Sequence, residues 1–442
     1  MRKVAIVGGG VAGMGAAKRL LDAGHHVTLF ESLPRLGGDC FGVDVQLPAR
    51  GMRRVDAGVS DFNVHTFVQV KALLDELGLE YHPIVQDASF MKPNGEVLYY
   101  FRDGELRGGQ SLSNVQRFRA EIGRFAMECV EVLDDPRLGG WTLGQYLLER
   151  RYSEEFVDLY AVPRAMGCFP MPNDHPANYP VRGLVSFWRM HGIVGNDGPP
   201  ERMCVEGGMH EYCRAFEKWF SLRGGHVRCS TRVVGVVRRA RYVEIRAITR
   251  DDEHLAFKVD HVIFATNPNE VVPLLEDPTE DEMSIFAEFP YQRARLAVHV
   301  DRRLMPRDRE AWGSYNYVVP QGNDPEVRPT ITFYPNLMTG LPEKVPDVFV
   351  SMNPHVEPDE MSLISNRFFE HPVVTGHTHR ATERLRRIQG ERGTWFAGSY
   401  LAEPFVHEQA LVTGQEVAKW LIERDPPLAA PSNGDGSEPE PS

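Results

Sequence analysis

The chain opens on a short apolar, β-branched run, Lys3 to Val7, that breaks at once into Gly8-Gly9-Gly10-Val11-Ala12-Gly13. An apolar run of this length bounded by glycine predicts a strand buried on both faces, of the parallel kind. Ala16, Ala17, Leu20 and Leu21 then share one face of a helical period that closes near Gly24, and His26 to Phe30 reads as a second strand ending at Glu31. Further along, His226 to Val237 reads as paired strands. Asp260-His261-Val262-Ile263-Phe264-Ala265-Thr266 repeats the buried parallel type. Near the end, Leu411, Val417, Ala418 and Leu421 form one face of a helix starting near His407 or Glu408. From about Asp425 the pattern stops. Pro, Ala, Ser, Gly and Glu follow with no large apolar residue beyond Leu428, a tail expected to be disordered because it has too little surface to bury.

The N-terminal strand, turn, helix and strand carry chemistry as well as pattern. Gly8, Gly10 and Gly13 supply G-x-G-x-x-G, with Val11 and Ala12 between them. The first glycine permits the tight turn, the second lets a pyrophosphate approach the backbone, and the third lets helix and strand pack closely. The helix start directs free N–H groups and its positive dipole end at phosphate. Glu31 closes the second strand, where a carboxylate accepts hydrogen bonds from ribose hydroxyls, and Ser32 stands beside it. A second glycine pair, Gly37-Gly38, preceded by Arg35, lets another backbone segment reach the same ligand, as an extended FAD requires. The expected fold class is α/β, with a Rossmann-type FAD-binding domain and an α+β substrate domain.

Composition narrows the field. At 442 residues the chain is too long for one ordinary core. With 42% hydrophobic and 25% charged residues it reads as a globular protein, expected to be cytoplasmic. A formal charge of -12 argues against nucleic acid and against simple electrostatic docking on anionic membranes. No apolar run is long enough to span a bilayer, and the N-terminal run is read as a strand rather than a signal peptide. Six scattered cysteines without a C-x-x-C pair make neither a disulfide framework nor a zinc site, so no metal is expected.

G-x-G-x-x-G, then Glu31, then Arg35-Leu36-Gly37-Gly38 resembles the flavin amine oxidase and phytoene desaturase superfamily. Members usually carry Arg or His after the glycine pair, and Asp39 departs from that. The resemblance places Val55-Asp56-Ala57-Gly58 in a loop near the flavin, and Gly207-Gly208-Met209 at the return into the FAD domain. It lays the backbone of Val233 and Val234 against the adenine, and sets Ala265 and Thr266 near the cofactor. Gly398 and Ser399 then fall beside the ribityl and pyrophosphate arm. The most specific likeness is to a bacterial subgroup of predicted NAD/FAD-binding oxidoreductases. The similarity lies in Tyr291-Gln292, Leu304-Met305-Pro306-Arg307, Trp312 and Ser314-Tyr315-Asn316-Tyr317. It continues in Met352-Asn353-Pro354, His371-Pro372, Gln389-Gly390 and Trp395-Phe396-Ala397-Gly398-Ser399-Tyr400, so that the likeness runs from residue 3 to about 422. Where the subgroup has His-Glu-Asp-Gly-Leu, this chain has His407-Glu408-Gln409-Ala410-Leu411 after a one-residue insertion. Residues 401–406 are closer to carotenoid desaturases and protoporphyrinogen oxidases. The implied organisation is FAD-binding segments at 1–75, 201–285 and 371–424, substrate-domain segments at 76–200 and 286–370, and a tail at 425–442.

His407 is the candidate base, because imidazole titrates near neutrality and this loop should border the flavin; capping the helix is its bland role. Glu408 either positions His407 or answers the helix dipole, and Tyr400 either lines the flavin pocket or packs in the core. Cys40 reads as a small buried residue rather than a covalent tether. His371, His377 and His379 read as surface and loop histidines. The apolar stretch Phe187, Trp188, Met190, Ile193 and Val194 suits core packing, with a greasy substrate or a peripheral membrane contact as its other uses. One dinucleotide fingerprint, not two, implies that the substrate itself reduces FAD. The expected reaction removes a hydride from a C–H bond of a small hydrophobic molecule, an acyl lipid or isoprenoid, with O2 or a quinone as the later acceptor. Amine oxidation, flavin-dependent isomerisation and flavin binding without turnover are the alternatives. The sequence carries no expectation for oligomeric state.

Overall fold

The computed structural model describes every residue except 48–50, 169–174, 196, 197, 199, 321–329, 340–345, 374, 376 and 426–442. The tail expectation therefore falls outside the described residues, apart from its first position. Asp425 itself is held by Arg2 at 2.7 Å and by His261 at 3.0 Å, so this first position is tied to the fold.

Five parallel strands make the first layer, in the order His226–Arg228, His26–Phe30, Lys3–Val7, His261–Phe264 and Thr394–Phe396. The central strand has Val4, Ala5, Ile6 and Val7 all buried, as expected for a strand covered on both faces. Its neighbours are in register, with Val7 opposite Phe30 on one side and Phe264 on the other. The helix Val11–Asp22 returns across this sheet and packs against the C-terminal helix His407–Arg424. Small residues set that contact. A Cβ on Gly15 would stand 2.6 Å from the Leu411 carbonyl oxygen, and one on Gly414 only 2.0 Å from that of Ala12. Leu411, Val417, Ala418 and Leu421 are all buried, so the apolar face read from the sequence is the face that packs.

One expectation needs correcting. The strands within residues 226–237 do not pair with each other. His226–Arg228 joins the parallel sheet beside His26–Phe30, whereas Thr231–Arg238 pairs with Val243–Thr249, which pairs with His254–Val259. Ser230, at φ 50°, turns the chain out of the first sheet between the two.

The second layer is an eight-stranded mixed sheet. Its order is Leu363–Pro372, Tyr291–His299, Phe349–Met352, Thr330–Phe333, Tyr315–Val318, Ala88–Met91, Val97–Arg102 and Glu105–Gly108. Only Tyr315–Val318 and Ala88–Met91 run parallel among its pairs. Helices Val115–Glu128, Leu143–Glu149 and Val181–Met190 contribute to the apolar core on this sheet, with Phe118, Phe125, Tyr146 and Trp188 fully buried in it. Their starts are fixed locally: Asn114 accepts from Arg117 N at 2.9 Å, and Thr142 and Gln145 form a capping box. The whole is the α/β dinucleotide fold with an α+β partner that the sequence predicted. Among the described residues no helix is long and apolar enough to cross a membrane.

Candidate functional site

A cavity of about 1710 Å³ opens at the C-terminal ends of the parallel strands, where Val7, Ala265 and Gly398 line it, and continues to the mixed sheet. Open α/β sheets place ligands at this edge. The volume exceeds the roughly 300–1,000 Å³ of an ordinary small-molecule pocket, leaving room for a cofactor and a second molecule. The three glycines divide their work as the motif requires. Gly8 has φ 106°, and a Cβ there would meet the Ala265 carbonyl oxygen at 2.5 Å. A Cβ on Gly13 would meet the Gly8 carbonyl oxygen at 2.1 Å, so only glycine lets helix and turn touch. Gly10 has nothing within 4 Å of its Cβ position and lines the cavity. No side chain caps the helix that Gly10 begins, and Val11 and Ala12 line the cavity at its first turn. This cradle fits a pyrophosphate.

Glu31 lines the same crevice. Its Oε2 accepts from Gly9 N and its Oε1 from Leu33 N, both at 2.8 Å. Two such bonds leave lone pairs for ribose hydroxyls. Ser32 donates to Oε1 at 3.2 Å and also faces the cavity. Gly37 and Gly38, at φ 112° and 55°, line it beside them. Arg35 does not line it. Its guanidinium instead donates to the carbonyls of Leu36, Gly38 and Cys40, each at 3.1 Å, and so shapes the glycine loop from behind. Asp39 lines the cavity and meets Arg367, another lining residue, at 3.3 Å. The acid that departs from the family pattern thus has its own cation.

Other segments close in on this loop. A Cβ on Gly58 would stand 1.9 Å from the Asp39 carbonyl oxygen, and Asp56 accepts from Met209 N at 2.7 Å while holding His210 Nδ1 at 2.9 Å. Val233 and Val234 line the cavity, where a register shift between Val233 and Gly235 leaves Val234 without a cross-strand partner. A bulge of this kind frees backbone polar groups for a ligand. Thr266 lines the cavity with its Oγ1 buried and unpartnered among the described residues, another polar atom awaiting a ligand. Gly398 and Ser399 complete this end.

The C-terminal helix begins without a side-chain cap, and Val406, His407 and Ala410 border the cavity there. His407 Nε2 lies 2.8 Å from Tyr212 Oη, which lies 3.2 Å from Cys40 Sγ. Burial, then Cys213, pushes the Cys40 thiol well up, keeping it protonated and a poor nucleophile. Glu408 turns the other way. Its carboxylate accepts from Gln69 N at 2.7 Å and Val70 N at 2.9 Å, capping the helix Val68–Glu76. Burial raises its pKa, with the two N–H groups opposing. Tyr400 lines the cavity with its Oη buried and, among the described residues, unpartnered, and burial pushes its phenol up. Gln409, which stands where the subgroup has Asp, also has a buried Oε1 without a partner among the described residues.

Beyond the crevice the wall becomes apolar and aromatic, with Tyr160, Phe187, Trp188, Tyr317, Ile331, Phe333 and Met352. The Phe187–Trp188 stretch thus serves core and cavity together. Tyr315 and Tyr317 alternate onto the cavity from one strand, a period-two signal present in the sequence. Arg164, Arg202 and Asp61 also line this part, and nothing local in the sequence marks them. His371 differs from its expectation, because it lies on the strand Leu363–Pro372 and lines the cavity. His377 and His379 are exposed, as expected. No group of metal-ligating side chains occurs among the described residues.

Comparison with known proteins adds to this geometry. A family model described as flavin containing amine oxidoreductase matches residues 11–353. A 1-hydroxycarotenoid 3,4-desaturase of Flavobacterium sp. (strain P99-3) is 27% identical over 155 residues, which make up 35% of this chain and 27% of that protein. The chain's aligned stretches span less than a third of the length of the curated relatives it matches. Among solved structures, cyclohexylamine oxidase from Brevibacterium oxydans IH-35A superposes with a TM-score of 0.69 at 15% identity, covering 96% of this chain and 99% of that one. A fatty acid isomerase from P. acnes gives 0.60 at 14% identity, covering 96% and 98%. At such identities the superpositions speak for the fold alone.

Proposed function

The chain belongs to the family of flavin containing amine oxidoreductases, and from that premise we propose that this FAD-dependent oxidoreductase removes a hydride from a C–H bond of a small hydrophobic molecule. The observation that carries the reading is the single cavity that joins the glycine-lined crevice to a wall of aromatic and aliphatic side chains. FAD, when bound, supplies the hydride acceptor. The chain's own residues do the rest. Gly10 and the first turn of its helix grip phosphate, and Glu31 takes the ribose. The apolar wall binds the substrate and excludes water, which strengthens every electrostatic interaction inside. The uncapped start of the C-terminal helix directs positive dipole at the site, favouring negative charge beside it. Tyr212 orients His407 at the cavity edge, where an imidazole can hold a proton. Tyr400 offers its hydroxyl to whatever lies against it. O2 or a quinone is the later acceptor.

The test is anaerobic mixing of the FAD-loaded protein with unsaturated acyl lipids, isoprenoids and alkyl amines. Bleaching of the oxidised flavin band by an acyl lipid or isoprenoid is the expected result. Bleaching by amines alone would replace this reading with amine oxidation.

A further inference from the structure

Arg164 stands in the cavity wall in surroundings that suit a guanidinium poorly. It is carried by the short helix Val162–Met166, directly after a π-helical turn over Val157–Ala161. Pro163 explains the turn. Proline has no N–H to give the Leu159 carbonyl, and Tyr99 donates its hydroxyl to that oxygen instead, at 2.6 Å. Tyr160 and Arg164, four positions apart, both line the cavity. The rings of Phe90, Phe101, Tyr160 and Tyr317 surround the guanidinium, with centroids 5.5 to 5.9 Å from Cζ.

Aromatic faces attract a cation but accept hydrogen bonds weakly, and a guanidinium has five N–H donors to satisfy. Among the described residues, Arg164 Nε is buried without a partner and no carboxylate pairs with this side chain. The titratable groups facing it are the neutral Tyr160, Tyr317, Tyr99 and Cys168. Its neighbours in the cavity differ in this respect. Arg202 is neutralised by Asp61 at 2.5 Å, and Arg367 by Asp39. A cation kept in an apolar cavity without a counter-ion is expensive unless a ligand brings one.

We propose that Arg164 receives the carboxylate of the substrate, which makes that substrate an apolar chain with an acidic head group rather than a neutral hydrocarbon or a cationic amine. The planar guanidinium binds the two oxygens in parallel while the surrounding rings hold the first carbons of the chain. That this ligand is also the hydride donor rests on the function proposed above; the head-group site rests on the cavity alone.

The experiment uses the FAD-loaded protein with three probes of one chain length, dodecanoate, dodecan-1-ol and dodecylamine. Binding is followed by calorimetry and by the shift of the oxidised flavin band, so no turnover is needed. Dodecanoate should bind about ten- to a hundred-fold more tightly than the alcohol, the span of one or two charge-assisted hydrogen bonds, with the amine weakest. Arg164→Met should erase the preference while flavin content stays as in the wild type and the unfolding midpoint does not fall. Equal binding of acid and alcohol to the wild type overturns the proposal, and so does a preference that survives Arg164→Met. The wild-type comparison decides the matter even if the variant does not fold. An unsaturated acid that binds through Arg164 yet never bleaches the flavin would refute the redox reading and leave this site standing.

Discussion

Alanine at Gly10, Gly13 and Gly414 adds the same methyl group to three different surroundings, and the outcomes should separate cofactor binding from folding. At Gly13 the new Cβ would lie 2.1 Å from the Gly8 carbonyl oxygen, and at Gly414 2.0 Å from that of Ala12. Non-bonded heavy atoms settle at about 3.5 Å, so the backbones must part by more than about 1 Å. Overpacking of this kind costs about 1–3 kcal/mol, and backbone on both sides of the contact places these two at the upper end. Gly10 is different. Its φ of -69° and ψ of -178° suit any residue, and no protein atom lies within 4 Å of the added carbon. The apoprotein should gain about 0.4–1 kcal/mol, because alanine restricts the unfolded chain. The methyl group would, however, stand where phosphate approaches the helix start. Losing one charge-assisted hydrogen bond there costs about 1.5–3 kcal/mol, or about ten- to a hundred-fold in Kd for FAD. Urea unfolding of the apoproteins gives the stability, and quenching of flavin fluorescence on titration gives the affinity. The reasoning fails if Gly10→Ala binds FAD like the wild type, or if its apoprotein is as unstable as Gly13→Ala.

Three other substitutions probe separate features. Tyr400→Phe removes a buried hydroxyl without a partner among the described residues, so the apoprotein should gain about 1 kcal/mol in urea unfolding, and that gain should shrink once a ligand that bonds the hydroxyl is present. Glu408→Ala strips the acceptor from Gln69 N and Val70 N; faster hydrogen exchange at those two amides and a loss of about 1–2 kcal/mol are expected. Burial lowers the pKa of His299 to about 4. The folded protein therefore holds it neutral while the unfolded chain takes up a proton below its ordinary value. Its contribution is complete above pH ~6.5 and is lost as pH falls to about 4, up to about 3 kcal/mol in all. His299→Gln should unfold with a correspondingly shallower pH dependence over that window, and an unchanged slope would count against the assignment.

How much could be read in advance depended on whether a signal was contiguous. Strand, glycine turn, helix, strand and acid follow one another within residues 3–31, and the structure places each where the spacing implied. The helix at the other end was equally legible, since Leu411, Val417, Ala418 and Leu421 recur with its period. Pairing was harder. Residues 226–237 hold two apolar runs around a turn, the look of a hairpin, yet the first run is claimed by His26–Phe30 and the second by Val243–Thr249. Local pattern cannot rank such distant partners. The same holds for charge. Asp39 finds its cation 328 residues away, Glu408 caps a helix 338 and 339 residues earlier, and Arg164 gains its meaning only from rings on three different strands and on the turn before its helix.

The interlocking of the first and last helices has a consequence for biosynthesis. A nascent chain that has delivered residues 3–31 already owns the phosphate turn, but the flank of Val11–Asp22 stays bare until His407–Arg424 leaves the ribosome. Tight cofactor capture is therefore expected only once the whole chain has been made. A chain broken off before Thr394–Phe396 lacks both an outer strand and that covering helix, and it would present a greasy surface to proteases instead of turning yellow.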